Sequence, residues 1–282
     1  MEQLLAALKD ALEPFEEVRF ALLFGSAVTG RLREDSDIDL AVYIDSQGRL
    51  EVEEPRDVPE EAGIQIAAER ATDRNIDLLI LNRAPATVCA TAVLEGKSVL
   101  VREPGLYSRY FLAVTSVAID FSETEREFRE IRKRSRSISQ SDESHLERIL
   151  DFVDEELADR AAFEGLTLNA YRTDRNLRRN LDRWVETLVN ACIDIGKIVL
   201  SSTGREVPRT YGQILSDLET VRGFEKLAGR LAPLAPLRNL LAHEYLDLRF
   251  DRVKAFVAEG SHAVEALAAV TRTWLTKEGQ KP

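Results

Sequence analysis

The chain has 282 residues and 44% hydrophobic content, which is enough for two globular domains of ordinary size. Its formal charge of -11 at pH 7 argues against a protein that coats nucleic acid through a broad basic surface. Two cysteines are too few for a disulfide framework or a zinc cluster. No apolar run approaches the about 18 residues that a membrane helix requires, so we expect a cytoplasmic protein without a membrane partner.

The first half of the chain alternates helical and strand-like patterns, which is typical of an α/β domain. In chain order, the predicted elements are an amphipathic helix over residues 2–16, a buried strand over 18–24, a second apolar run that begins at 37, a short helix over 60–72, a strand over 75–81, a helix over 86–94 and an edge strand over 98–101. The periodicity therefore predicts a small α/β unit.

The second half contains helical patterns only. Residues 104–134 are helical, and the polar, serine-rich residues 135–144 have the composition of a linker. Beyond the linker, helices are predicted over residues 146–163, 169–202, 211–220, 224–245 and 252–276. The predicted fold class is therefore α/β + all-α, with a first domain of residues 1–134, a linker of residues 135–144 and a helical bundle of residues 145–282.

A glycine-serine turn directly follows the first predicted strand. Gly25 lies where the chain must turn, and its missing side chain lets a backbone amide approach an anion closely. Ser26 adds a hydroxyl donor and opens a short helix, whose amino terminus favours phosphate. The turn is therefore a candidate phosphate-binding site.

Two acidic residues follow the turn after ten further residues, and a third lies on the next predicted strand. Asp37 and Asp39 are two positions apart, so their carboxylates point the same way while the alternate residues point into the core. Asp77 is the only acid in its strand-like run, and a buried charge is costly unless a metal or a partner meets it. Three carboxylates on adjacent strands are the ligands that two magnesium ions need for in-line phosphoryl transfer.

Together these residues resemble the minimal nucleotidyltransferase (MNT) family within the polymerase-beta-like superfamily, whose pattern is Gly-Ser, a spacer, Asp-x-Asp and a later Asp. The resemblance covers roughly residues 10–115. It implies that Gly25 and Ser26 hold the phosphates of ATP, that Asp37 and Asp39 bind Mg²⁺, and that Asp77 assists as a ligand or a base. An isolated Asp-x-Asp is common in ordinary loops, and here the turn and the third acid accompany it.

The predicted helix over residues 224–245 carries a second concentration of polar groups. With about 100° of rotation per residue, Arg238 shares a face with Tyr245, and Asn239 shares one with His243, opposite a stripe of leucines. Arg238 and His243 do not converge on one straight helix, although a symmetric dimer can bring two such arcs together. Arginine would then stabilise a phosphate and histidine would transfer a proton. The alternative is that both residues only cap or salt-bridge the helix.

The spacing Arg-x4-His-x-Tyr of Arg238, His243 and Tyr245, with Asn239 at the usual polar position, resembles the HEPN family of helical domains. The resemblance covers roughly residues 143–276. It implies a metal-independent, RNA-cleaving toxin that acts as a homodimer through this domain, with a tyrosine that receives AMP from an MNT antitoxin. Both partners in one chain depart from the usual two-protein arrangement.

Two clusters of basic residues offer local contacts to RNA in spite of the acidic net charge. They are Arg126, Arg129, Arg132, Lys133, Arg134 and Arg136 in one segment, and Arg172, Arg175, Arg179 and Arg183 in another. The second set recurs every three or four residues and therefore lines one helix face. Neighbouring acids such as Asp174, Asp182 and Glu186 favour the ordinary interpretation, a solvated and salt-bridged surface.

The main hypothesis is a fused toxin and antitoxin, in which the MNT domain transfers AMP from ATP to Tyr245 and silences a HEPN ribonuclease site of Arg238 and His243. AMP would add bulk and negative charge beside a pocket for an RNA phosphate. Two alternatives stay open. One is a transferase for a small molecule such as an aminoglycoside, which leaves the Arg-x4-His-x-Tyr spacing unexplained. The other is a non-catalytic, nucleotide-sensing assembly module.

Overall fold

A four-stranded mixed sheet forms the centre of the amino-terminal half in the computed structural model, which describes residues 1–28, 37–134, 137–243 and 246–278. The strands are β1 (Val18–Phe24), β2 (Ile38–Ile44), β3 (Ile76–Ile80) and β4 (Lys97–Val101), in the spatial order β3-β2-β1-β4. β1 is antiparallel to β2 and to β4, whereas β2 and β3 are parallel. The helices of this half are α1 (Glu2–Leu12), α2 (Glu61–Thr72), α3 (Ala86–Glu95) and the start of α4 (Pro104–Arg134).

One face of the sheet packs against α1 and α2. Along β2, the alternate residues Ile38, Leu40 and Val42 join a core cluster that also contains Leu8 of α1 and Ile64 of α2, and all five are fully buried. Full burial of such a side chain contributes about 1.5–3 kcal/mol to folding. The strict alternation therefore sends Asp39, which lies between Ile38 and Leu40, to the opposite face.

An aromatic cluster fills part of the opposite face. Phe20 of β1 stacks on Tyr43 of β2 with ring centroids 4.8 Å apart, and Tyr110 of α4 packs edge-on against Tyr43 at 5.0 Å. The hydroxyl of Tyr110 donates a hydrogen bond of 2.9 Å to the carbonyl of Leu81, just beyond β3. The start of α4 is therefore part of the core of the sheet.

The buried side chain of Asn82 holds the chain that leaves β3. Its amide nitrogen donates to the carbonyl of Ile44 at 2.9 Å, and its amide oxygen accepts from the Ile44 N–H at 2.9 Å. A second donor bond of 2.8 Å reaches Glu51. The amide thus pairs with β2 as a strand backbone would, which satisfies polar groups that would otherwise be orphaned in the core.

In its described residues, the second half contains helices and connecting loops but no strand. Its helices are α5 (Gln140–Ala158), α6 (Leu168–Thr173), α7 (Arg175–Ser202), α8 (Tyr211–Ser216), α9 (Ala228–Leu231), α10 (Ala235–His243), α11 (Leu246–Ala255) and α12 (Ser261–Glu278). The middle and end of α7 are buried, and α5, α8, α10 and α12 pack against this helix. The predicted fold class, α/β followed by all-α, is confirmed.

The chain divides into two compact units, Met1–Ile119 and Asp120–Pro282, and the division falls inside α4. The domain bounds 1–134, 135–144 and 145–282 stay a prediction. The second part of α4 packs within the helical unit, because Phe121 lies edge-on to Tyr211 at 5.0 Å and Glu127 accepts from the buried Lys197 at 2.5 Å.

The helix α5 begins at Gln140, within the residues 135–144 that the sequence predicts as a linker. Ser139 caps this helix by accepting a hydrogen bond from the N–H of Asp142 at 3.2 Å. Serine is common in linkers and is also a good helix cap, so a serine-rich composition does not exclude the start of a helix.

The helix predicted over residues 224–245 is wrong as a single element. Pro233 and Pro236 lack the N–H that a helix interior requires, and the chain instead forms α9, a 3₁₀ turn over Ala232–Leu234 and α10. The helix predicted over residues 169–202 is likewise divided, because Asp174 ends α6 and caps α7.

Both cysteines are buried free thiols, one in each half. Burial raises the pKa of Cys89 and of Cys192 to about 12, so neither supplies a thiolate at neutral pH. In the described part of the chain, the helices are too short or too polar to cross a membrane.

Candidate functional site

The parallel pairing of β2 and β3 brings two of the predicted acidic residues together. Asp39 and Asp77 stand directly opposite each other in the register of the two strands, so their side chains share a face of the sheet. On the other side of Asp39, its antiparallel partner is Phe24, the last residue of β1. Asp37 comes immediately before β2 and is exposed. The acids and the glycine-serine turn therefore meet at one edge of the sheet.

Gly25 is required by both backbone conformation and space. Its φ is +67°, in the left-handed region that favours glycine, and it opens a 3₁₀ turn over Gly25–Ala27. A Cβ atom at this position would lie 2.0 Å from the Oδ2 atom of Asp39, far inside the contact distance. The N–H of Ser26 donates a hydrogen bond to the Asp39 carboxylate. The sequence predicts that this turn approaches a phosphate closely. In the structure, the turn approaches the carboxylate of Asp39.

The surroundings of Asp39 among the described residues disfavour its ionised form. Burial raises the pKa of Asp39, the nearby charges of Asp77 and Asp37 raise it as well, and the bond from Ser26 only partly opposes them. Because each cause that raises the pKa penalises the ionised carboxylate, a cation beside Asp39 would be stabilising. Carboxylate oxygens are also the ligands that Mg²⁺ prefers.

The three carboxylates are not gathered in advance as a metal cage. Within residues 1–28, 37–134, 137–243 and 246–278, no group of three acidic, histidine or cysteine side chains is arranged to hold a metal ion. Asp37 and Asp77 are exposed and Asp39 is half-buried, so the ligand type and charge fit Mg²⁺ while the side chains still have to converge.

In the helical half, the side chain of Arg238 is held by three partners. Its Nε atom donates to Asn190 of α7 at 3.0 Å, and its Nη2 atom forms a salt bridge of 3.1 Å with Asp120 of α4. The guanidinium carbon lies 4.4 Å from the ring centroid of the buried Tyr211. We refer to Asp120, Asn190 and Tyr211 as the arginine cradle. Arg238 therefore forms a salt bridge to an acid on another helix, and whether it also acts on RNA stays a prediction.

The cradle orients the guanidinium without using all of its donors. Arginine has five N–H groups, and the bonds to Asn190 and Asp120 use two of them, so three are not engaged in these bonds. Arg238 retains 23% of its side-chain exposure. A fixed, partly exposed guanidinium of this kind can bind a phosphate in a bidentate manner.

The remaining residues of the helical motif lie largely outside the described part of the structure. Asn239 lies within α10 and His243 is its last residue, but their side chains are outside the description, and so is Tyr245. Their convergence with Arg238 therefore stays a prediction.

Sequence reasoning missed all three members of the cradle. Asn190 alone carries a local signal, as the one polar residue in the apolar run of residues 188–193. Asp120 and Tyr211 are ordinary members of helical patterns and become neighbours of Arg238 only through packing.

Comparison with known proteins assigns a family to each half. Residues 6–104 match the family described as Polymerase beta, Nucleotidyltransferase, and residues 142–270 match the family described as Ribonuclease HepT-like. Among curated proteins, no sequence matches this chain.

Two solved structures are similar to part of the chain. A crystal structure of a toxin-antitoxin with AMP-PNP has 19% identity and a TM-score of 0.38, and covers 45% of this chain and 95% of its own. A crystal structure of a mutant toxin-antitoxin MntA-HpeT has 18% identity and a TM-score of 0.36, and covers 43% of this chain and 91% of its own. TM-scores this low do not establish a common fold. The two family matches do identify the halves, and the chain is a fusion of a polymerase-beta-type nucleotidyltransferase domain with a HepT-like domain.

Proposed function

We propose that the nucleotidyltransferase domain transfers AMP from ATP to Tyr245, and that this modification silences a ribonuclease site of Arg238 and His243 in the HepT-like domain. The observation that carries the proposal is the direct opposition of Asp39 and Asp77 beside the Gly25 turn, in a chain that also contains the HepT-like domain. One half thus has the acidic residues for transfer, and the other half has the acceptor.

In the transfer step, the phenolic oxygen of Tyr245 forms a bond to the α-phosphorus of ATP, and the bond to the departing pyrophosphate breaks. The phenolic proton passes to the carboxylate of Asp77, which acts as the base. Gly25 and Ser26 bind the phosphates through the turn. Asp37, Asp39 and Asp77 would hold Mg²⁺, which when bound neutralises triphosphate charge and favours in-line displacement.

In the ribonuclease site, Arg238 binds the scissile phosphate and stabilises the charge that develops on it. His243 transfers a proton as acid or base, a role for which histidine is the usual residue near neutral pH. Asn239 supports the site with a further polar group. A homodimer through the HepT-like domain would bring two such motifs together across a two-fold axis.

Modification of Tyr245 opposes RNA binding by charge and by bulk. The AMP phosphate is negative and would lie beside Arg238, where it competes with an RNA phosphate for the same guanidinium. The covalent link between the domains raises their effective concentration, either within one chain or between the chains of a dimer.

The proposal is tested by intact-mass measurement of the whole chain before and after incubation with ATP and Mg²⁺, followed by peptide mapping. We expect the mass to increase by AMP and the added group to map to Tyr245. A chain with unchanged Asp37 and Asp39 that never gains AMP would contradict the proposal. Release of pyrophosphate only when an aminoglycoside is present would favour the small-molecule transferase instead.

Gly25→Ala is expected to impair transfer by about 100-fold, because the new methyl group forces the carboxylate of Asp39 out of its position. The variant also loses about 1–2 kcal/mol of unfolding free energy through the left-handed backbone. Transfer kinetics and urea unfolding measure the two effects separately.

Gly48→Ala is the matched control for this change. Gly48 has a φ of +81°, and a Cβ atom there would meet no atom within 4 Å. The control therefore has the same kind of backbone strain and should keep normal transfer. Equal loss of transfer in both variants would assign the effect to stability alone.

A further inference from the structure

Three arginines form a stripe along the outer face of α7. Arg175, Arg179 and Arg183 recur every four residues, so they lie on one side of the helix, with a rise of about 6 Å between neighbours. All three are exposed, and the side chain of Arg183 retains 74% of its accessible surface. We call these three residues the arginine stripe.

Two of the three acids that were expected to neutralise this face are engaged elsewhere. Asp174 accepts from the N–H groups of Asn176 and Leu177 at 2.9 and 3.0 Å as the cap of α7. Asp182 accepts from the hydroxyl of Tyr171 at 2.6 Å and pairs with Arg249 at 3.0 Å. Most of the acidic charge that a salt-bridged surface would require is therefore engaged in other contacts.

Only one member of the stripe has an acidic partner on the helix. Arg183 pairs with Glu186 at 3.1 Å, and both side chains are exposed, so the pair contributes little. Across residues 1–28, 37–134, 137–243 and 246–278, Arg175 and Arg179 take part in no salt bridge or side-chain hydrogen bond. Their guanidinium groups thus keep their full capacity for an anionic ligand.

The arginine stripe lies on the same face of α7 as Asn190, the residue that holds Arg238. Asn190, which holds the Nε atom of Arg238, follows Arg183 by seven residues, so the two lie within about 20° on the same helix face and about 10 Å apart along the axis. The arginine stripe and the guanidinium of Arg238 therefore lie along one face of α7.

We propose that the arginine stripe binds the phosphate backbone of single-stranded RNA and directs the strand to Arg238. The proposal rests on the ribonuclease function proposed above and extends it to the path of the substrate. Exposed arginines at regular intervals suit successive phosphates, and they contact the backbone without reading the bases. Because the whole chain carries a net charge of -11, its overall charge disfavours RNA, and a local basic stripe would decide where the strand can lie.

The test measures the affinity of the full chain for a fluorescent oligouridylate at several salt concentrations. The background is His243→Ala with Tyr245→Phe, which neither cleaves the probe nor accepts AMP. In this background, R175A with R179A is expected to weaken binding roughly tenfold at low salt. The slope of log Kd against log salt should fall by about 1.4, since each phosphate contact to a single strand contributes about 0.7.

The matched control is R222A with R230A, which removes the same charge from two exposed arginines outside α7. It should leave both the affinity and the slope unchanged. Equal effects of the two double variants, or no binding by the background chain, would contradict the proposal that the arginine stripe binds RNA. Equally tight binding of polyglutamate would also overturn it, because the face would then suit acidic proteins.

A second measurement, RNA cleavage by the Tyr245→Phe chain, distinguishes failure of this proposal from failure of the proposed ribonuclease function. A chain that binds the probe through the stripe but never cleaves RNA would contradict the ribonuclease and leave the stripe intact. Cleavage together with unchanged binding by R175A with R179A would contradict the stripe alone.

Discussion

Asp39→Asn is expected to lower AMP transfer by at least about 1,000-fold, because the change removes the charge of a proposed Mg²⁺ ligand that stands opposite Asp77. Transfer is measured as the rate of mass increase of the whole chain with ATP and Mg²⁺. The matched control is Asp45→Asn at the opposite end of β2, where the carboxylate pairs with Arg19 at 2.8 Å. The control should keep transfer within a small factor of the unchanged chain.

The same change should not weaken the fold. Burial and the charges of Asp77 and Asp37 raise the pKa of Asp39. A carboxyl whose pKa is higher in the folded state binds its proton more tightly there, so its ionisation costs stability as the pH rises through the unfolded and then the folded pKa. At neutral pH, asparagine removes this cost and can still accept from Ser26. A lower melting temperature than that of the unchanged chain would contradict this account.

Tyr245→Phe is expected to release the ribonuclease and arrest the growth of cells that express the chain. Phenylalanine keeps the ring and removes only the oxygen that we propose as the acceptor of AMP, so the proposed site of Arg238 and His243 should stay unmasked. Adding His243→Ala should restore growth, because loss of the proton-transferring group lowers RNA cleavage by about 10²–10⁴-fold. Colony counts and total-RNA integrity measure the two outcomes.

Tyr107→Phe is the control for loss of a tyrosine hydroxyl. Tyr107 packs edge-on against Phe20 at 5.2 Å in the nucleotidyltransferase half, far along the chain from the HepT-like motif. The control should grow normally and still gain AMP. Normal growth of the Tyr245→Phe chain with intact RNA would instead indicate that the ribonuclease is dormant.

The strands of the sheet could be predicted because they are short apolar runs bounded by polar or turn residues. Ile38, Leu40 and Val42 identify a strand with one face in the core, and this alone puts Asp39 on the other face. The opposition of Asp39 and Asp77 follows only from the parallel pairing of β2 and β3, which no local pattern specifies. From the sequence, the expectation that these two carboxylates act together came from the resemblance to the MNT family.

The cradle of Arg238 could not be predicted because it depends on three separate segments. Asp120, Asn190 and Tyr211 come from α4, α7 and the start of α8, and only packing of these helices brings them together. The same limit applies to Asn82, whose role in replacing strand backbone depends on the path of the chain after β3. Periodicity reports which face of an element is buried, but not which element covers it.

The position of Asp120 constrains how such a fused gene could be divided into two. The family match to the HepT-like domain begins at residue 142, which suggests a natural place to cut. A free-standing protein that starts there would lack Asp120, and Arg238 would lose its carboxylate partner. Separate genes would therefore need to leave about the last four turns of α4, from Asp120 to Arg134, with the downstream product, or evolve a new acid to replace Asp120.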